Sequence, residues 1–240
     1  MKKKFTCTLL FAIFISLIGF DTVFAQNEPS YQAYISNSRT MWQRAMDQTK
    51  PGSYAHALAQ YGYLNGTMSD RNKEAFDKYY DPILDLLDEL IASEDHVAEC
   101  KAIKSSVYGL ELAYNSWKGM FLGPKSSRLI EEAYQSAPDN PLVVKLFASS
   151  KLYTPEAFGG NPALAVKEFS RAVLLFESQA QHESNWLYLN ALALLGNAYR
   201  KTGNLEKAME TYNKALSIEQ KFGWIAHSLK PSLENQMSKK

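Results

Sequence analysis

The chain has 240 residues, with 26 lysines and arginines against 25 aspartates and glutamates, and 12% of it is aromatic. A chain this near neutrality carries no electrostatic footprint for nucleic acid and no basic surface for anionic lipid. Its length allows one elongated helical domain with a continuous core.

The N-terminus comes first. Lys2, Lys3 and Lys4 precede a mostly apolar run from Thr8 to Phe20, and Val23-Phe24-Ala25 puts small residues where a signal peptidase reads. This predicts a secretory signal at residues 1–25, cut after Ala25, and a periplasmic or secreted chain over 26–240. The run is shorter than the roughly 20 residues of a spanning helix. Cys7 stands before it, whereas lipidation needs a cysteine just after. Cleavage leaves 23 basic against 24 acidic residues and one cysteine, Cys100. A lone cysteine forms no internal disulfide. In HVAECKAI it reads as a small buried side chain on a helical face.

Tyr31 to Gln48 reads as a helix with Tyr34, Ile35, Met41, Trp42 and Ala45 as apolar positions, and Lys50-Pro51-Gly52 as the turn after it. Tyr54 to Leu64 is a second helix, ended by Asn65-Gly66, with Ser69 or Asp70 available to cap the next. In that third helix Pro82 predicts a kink, or a restart capped by Asp81. Its carboxylates Asp81, Asp85, Asp88 and Glu89 read as a solvated face opposite Ile83, Leu87, Leu90 and Ile91. Ser93 to Trp117 is a long helix with Gly109 and Ala113 as small positions, followed by a loop, KGMFLGPKSS. The next helix carries Leu129, Ile130, Ala133 and Tyr134 and ends in APDNP. Leu142 to Tyr153 is helical. A second loop, TPEAFGGNP, leads to a helix with Ala165, Phe169 and Ala172.

The clearest stretch is Leu189 to Phe222. Leu192, Leu195, Gly196 and Tyr199 share one helical face; Gly203-Asn204 breaks the pattern; Ala208, Tyr212 and Ala215 resume it. This resembles a tetratricopeptide repeat, a helix pair of about 34 residues with small residues at fixed positions. Gln220 stands where proline usually ends the second helix. Gly196 and Ala208 let the two helices approach, Tyr199 and Tyr212 fill the remaining volume, and Gly203 permits the left-handed helix end. Such a pair cannot bury its apolar faces alone, so one unit implies more.

The resemblance implies an all-α, right-handed solenoid of about ten helices. Repeats fall at about 96–138, 141–178 and 187–220, a degenerate one at about 53–92, and a capping helix at about 224–237. The signal together with FLGPKSS and PEAFGGNP is similar to a group of exported repeat proteins of Gram-negative bacteria, to which no activity is attached. A more distant similarity is to periplasmic repeat subunits associated with substrate transporters.

Catalytic and cofactor chemistry is sought in vain. GMFLGPKS has three residues between its glycines where a phosphate loop needs four, and Pro124 splits the Gly-Lys pair. His96, Glu99 and Cys100 lack a tightly spaced further ligand, and His56, His182 and His227 are scattered. No serine stands in a GxSxG turn. The expectation is no enzyme, no metal and no cofactor.

What remains is surface. The repeat resemblance implies a concave groove lined by first helices. In the last repeat it is lined by Asn190, Ala193, Asn197, Arg200 and Lys201, with Asn197 and Lys201 placed as peptide-binding repeats place their carboxylate-holding residues. Tyr153 joins this set. Phe121 and Phe158 stand about one long repeat apart, before Gly123 and Gly159, and are expected to meet along one edge. Either the rings fold inward and seal the core, which the sequence favours, or they form an exposed lip. The function expected is a non-catalytic scaffold binding a protein or peptide; the alternative is a transporter-associated subunit binding a small ligand.

Overall fold

The computed structural model describes residues 29–239; residues 1–25, where the sequence predicts a secretory signal, lie outside them. Helix α1 covers residues 29–35. It is followed by α2 (Arg39–Asp47), α3 (Tyr54–Gly66), α4 (Lys73–Ala92), α5 (Val97–Tyr114) and α6 (Gly119–Ser136). Then come α7 (Pro141–Tyr153), α8 (Pro162–Glu177), α9 (Trp186–Lys201), α10 (Leu205–Ile218) and α11 (Lys230–Met237). Among the described residues there is no strand. The all-α solenoid expected from the sequence is the fold observed. Helices α3/α4, α5/α6, α7/α8 and α9/α10 pair in sequence.

Local chemistry starts the helices. Asparagine accepts an orphan N–H at the start of five of them: Asn72 from Ala75, Asn140 from Leu142 and Val143, Asn161 from Leu164, Asn185 from Leu187, and Asn204 from Lys207. Pro141 and Pro162 take the first helical position, where a missing N–H costs nothing.

Several boundaries differ from the sequence reading. The span Tyr31 to Gln48 is two helices, because Asn37 turns left-handed (φ 48°) and Ser38 caps α2 through the Met41 N–H at 3.3 Å. Asn72, rather than Ser69 or Asp70, caps α4. That helix runs unbroken through Pro82, whose ring lies on the solvent side while Ile83, Leu86, Leu87 and Leu90 hold the downstream turns in the core. Helix α5 starts at Val97, after left-handed turns at Glu94 and His96. KGMFLGPKSS is no loop: α6 begins at Gly119 and includes Pro124. Gly109 is exposed with open space where a Cβ would stand, so it brings no helix closer. The close approach of α5 and α6 is made by serines: Ser105 Oγ donates to the Ser126 carbonyl at 2.8 Å, and Ser126 Oγ to the Ser105 carbonyl at 2.9 Å.

Gly196 makes the tight contact of the last repeat. A Cβ there would lie 2.2 Å from Tyr212 Cε1, so the tyrosine ring occupies the place of a side chain. The same device recurs at the other end of the chain, where a Cβ on Gly62 would lie 2.2 Å from the indole of Trp42. The C-terminal helix passes through a π turn, Ile225–Leu229, just ahead of Pro231. A proline lacks the N–H for the regular bond, and a widened turn accommodates that loss.

Candidate functional site: the concave face

The first helices α3, α7 and α9 converge on Trp186, which opens α9. Trp42 of α2 meets its ring edge-on at 5.1 Å, Tyr34 of α1 lies at 5.4 Å and Tyr61 of α3 at 6.5 Å. Lys145 of α7 places its Nζ 5.9 Å from the Trp186 ring and 6.0 Å from that of Tyr61. Residues separated by most of the chain thus share one cluster, and helix α1 lies in the groove.

Polar groups in this cluster form a chain. Lys145 Nζ donates to Asn190 Oδ1 at 2.6 Å, and Asn190 Nδ2 donates to the Tyr34 hydroxyl at 2.9 Å. Tyr31 closes the other side of α1 by donating to Glu219 at 3.3 Å. Lys145 is 1% exposed and, among the described residues, has no carboxylate within 4 Å. Burial without a counter-charge disfavours the ammonium and lowers its pKa to about 7. Burial likewise pushes the Tyr34 and Tyr61 phenols above their ordinary range.

The groove residues expected from the sequence divide between structural bonds and open surface. Asn190 is committed to Lys145 and Tyr34, and Ala193 is buried. Asn197 Oδ1 accepts from the Tyr212 hydroxyl at 2.8 Å. Arg200 Nε donates to Gln236 Oε1 at 2.9 Å, tying α9 to α11. Lys201 Nζ donates to the Leu152 carbonyl at 2.6 Å and so caps the C-terminal end of α7. Tyr153 remains open, 61% exposed at the end of α7 with its hydroxyl turned toward Asn197. The groove is therefore filled along the first half of α9 and open along the second.

Phe121 and Phe158 do not meet. Phe121 lies in the first turn of α6 and Phe158 in a short 3₁₀ turn after α7. They are 62% and 80% exposed, and neither ring lies against another among the described residues. The inward seal is thus corrected: both rings stand in solvent, because no second layer of side chains covers the hairpin tips.

The residues screened for metal chemistry have other partners. His96 binds Asp95 at 2.5 Å and stacks on Tyr54 at 4.0 Å. Glu99 accepts from Asn140 Nδ2 at 2.7 Å. Cys100 is buried, and burial, with the nearby Glu99 and Asp95, pushes its thiol up to about 12. Among the described residues no group of three His, Cys, Asp or Glu is arranged to hold a metal ion, and no helix is long and apolar enough to cross a membrane.

Sequence reasoning missed Lys145, Trp186, Tyr61 and the role of Tyr34. One signal was present: Lys145 is a single cation inside PLVVKLFA, an otherwise apolar run.

The tetratricopeptide repeat family model matches residues 189–222. No curated protein matches the chain by sequence. Among solved structures, the chain is similar to the HusA haemophore from Porphyromonas gingivalis at 19% identity, covering 77% of this chain and 97% of that one with a TM-score of 0.54. It is also similar to a thermophilic TPR protein of Thermus thermophilus at 16% identity, covering 89% of this chain and 97% of that one with a TM-score of 0.50. At these identities the likeness is one of fold.

Proposed function

We propose that this chain, a tetratricopeptide-repeat protein, is an exported, non-catalytic scaffold that binds a protein or peptide segment on the open half of its concave face. One observation carries the reading. The groove already holds a helical segment, α1, through a tyrosine ring on Trp186 and a hydroxyl on Asn190. A surface that seats the chain's own helix has the apolar floor and polar anchors a foreign segment needs. Tyr153, Asn197 and Arg200 continue that surface beyond α1. Export rests on the pattern of residues 1–25.

The test is affinity purification of a tagged chain from envelope extract, with a Tyr153→Ala/Asn197→Ala variant in parallel. The expected result is a partner retained by the wild-type chain and lost by the variant. Equal retention overturns the assignment to this half of the groove. Cell fractionation should recover a chain starting near Gln26 outside the cytoplasm; an uncut cytoplasmic chain ends the export reading.

A second reading has its own support. The groove walls are aromatic (Tyr34, Tyr61, Trp186, Tyr153) with one buried cation, which suits a small flat ligand, and the fold is shared with a haemophore. Titration with haem, followed by absorbance, separates the two. Saturable binding that Tyr153→Ala weakens supports a ligand carrier; no spectral change removes this reading.

A further inference from the structure

Between Glu111 and Ile130 the chain has no buried residue. This stretch is the tip of the α5/α6 hairpin, whose two helices have 18 residues each, against 13 in α7. Lys151, near the end of α7, meets Glu131 of α6 at 2.8 Å. Since α7 ends two residues beyond Lys151, residues 119–128 of α6 run past its end, by about 15 Å at the helical rise of about 1.5 Å per residue. On the α7 side the end of the hairpin stands clear as a finger, while the turn between α3 and α4 lies against its other side.

Its base is fixed. Glu111, buried, accepts from Asn115 Nδ2 at 2.8 Å and from Lys118, and lies 3.4 Å from Lys73. Burial alone would raise its pKa, but Lys118, Asn115 and Lys73 more than offset that and hold it below the ordinary value. The Tyr114 hydroxyl donates to the Thr67 carbonyl at 2.8 Å, and Arg71 to the Ala113 carbonyl at 3.1 Å. On the uncovered side, Trp117, in a short 3₁₀ turn, and Met120 and Phe121, in the first turn of α6, stand at i, i+3 and i+4 and are 70%, 79% and 62% exposed. Exposed clusters of this kind mark interaction sites.

The charge around them is one-sided. From Leu112 to Ile130 there are three cations, Lys118, Lys125 and Arg128, and no aspartate or glutamate, in a chain otherwise near neutral. Lys118 is committed to Glu111. Lys125 has no acidic partner among the described residues, and Arg128 reaches Glu132 only at 3.8 Å. The overall charge balance averages this local excess away.

We propose that the finger is a membrane-surface anchor: Trp117, Met120 and Phe121 insert into the headgroup region of an anionic bilayer while Lys125 and Arg128 contact its phosphates. A tryptophan beside a phenylalanine on a short projecting turn matches the roughly 5–10 Å depth of interfacial insertion, and cations beside an apolar face complement anionic lipid.

Co-sedimentation of the chain from Gln26 with phosphatidylglycerol/phosphatidylcholine vesicles tests this, with phosphatidylcholine vesicles as reference. The expected result is binding to the anionic vesicles that falls at least tenfold in a Trp117→Ser/Met120→Ser/Phe121→Ser variant. All three positions are exposed, so the variant should keep its circular dichroism and melting temperature. Lys125→Gln/Arg128→Gln should lower anionic-vesicle binding several-fold and leave the weak phosphatidylcholine binding unchanged. The proposal is overturned if the wild-type chain ignores anionic vesicles or if the triple-serine variant binds them equally. It is also overturned if the finger instead mediates self-association, seen by sedimentation as a dimer that the triple change dissociates while vesicle binding is absent.

Discussion

The pair Gly196–Tyr212 and the pair Gly62–Trp42 solve one packing problem in two regions. In each, an aromatic ring fills the space that a Cβ would take, at 2.2 Å in both cases. In the last repeat the ring comes from the next helix in the chain and fills the space within that pair. At the other end Trp42 comes from α2, packs on α3, and also presents its edge to Trp186 of α9. The same device is a local repeat contact in one place and a closure of the whole solenoid in the other. A glycine in a helix is thus explained by which ring approaches it, and that ring can belong to any element.

Truncating the rings gives the largest expected effect. Trp42→Ala and Tyr212→Ala each remove a fully buried side chain and should cost about 3–5 kcal/mol. They should differ in reach. Hydrogen exchange in Trp42→Ala should quicken in α1 and at the start of α9 as well as in α2 and α3, whereas Tyr212→Ala should affect α9 and α10 and leave α1 to α3 protected. Identical exchange patterns would dissolve the distinction.

Lys145 lies where the two regions join. Its pKa falls from about 10.5 unfolded to about 7 folded, so the unfolded chain holds the extra proton between those values. Stability attributable to this residue therefore rises with pH from about 7 to about 10, with a limiting slope of about 1.4 kcal/mol per unit, and is flat below 7. Lys145→Met should raise the melting temperature at pH 7.5 and remove that slope. A variant that melts lower, with the slope unchanged, would mean that the ammonium is compensated in the fold.

Adding a methyl at the glycines is the next test. Gly62→Ala and Gly196→Ala should each lose about 1–3 kcal/mol to overpacking, against a helix-propensity gain of about 1 kcal/mol. Pairing Gly196→Ala with Tyr212→Leu should recover part of its loss, since the smaller residue vacates the site. Thermal melts of the single and double variants measure that coupling, and strict additivity would show that the ring and the glycine do not share the space.

The smallest effect belongs to the open half of the groove. Asn197→Ala/Lys201→Ala breaks the bond to the Tyr212 hydroxyl and the cap on Leu152, so it should cost about 1–2 kcal/mol in denaturant unfolding. A change within about 0.5 kcal/mol would identify both as ordinary surface residues, free to hold a partner.

The last repeat was legible because its contacts are local. Leu192, Gly196, Ala208, Tyr212 and Ala215 meet across one tight turn, so their spacing alone encodes the packing. The first turns of α6 were not legible, because Gly119, Gly123 and Pro124 are individually helix breakers. There the helix is held by its neighbour through Ser105 and Ser126, and Pro124 lies on the exposed side. Exposure of Phe121 and Phe158 ran against the inward seal that the sequence favoured, since whether a ring at a hairpin tip is covered depends on how far the next hairpin reaches.

By itself the sequence determined the helix pairs and the all-α class, since periodicity acts within a few residues. Only the tertiary structure decided that α1 fills the groove. Tyr34 and Asn190 are 156 positions apart, and Trp42 meets Trp186 only after the intervening helix pairs have stacked. The curvature that brings the ends together is the sum of small rotations between successive pairs, and that sum is set by how every side chain packs.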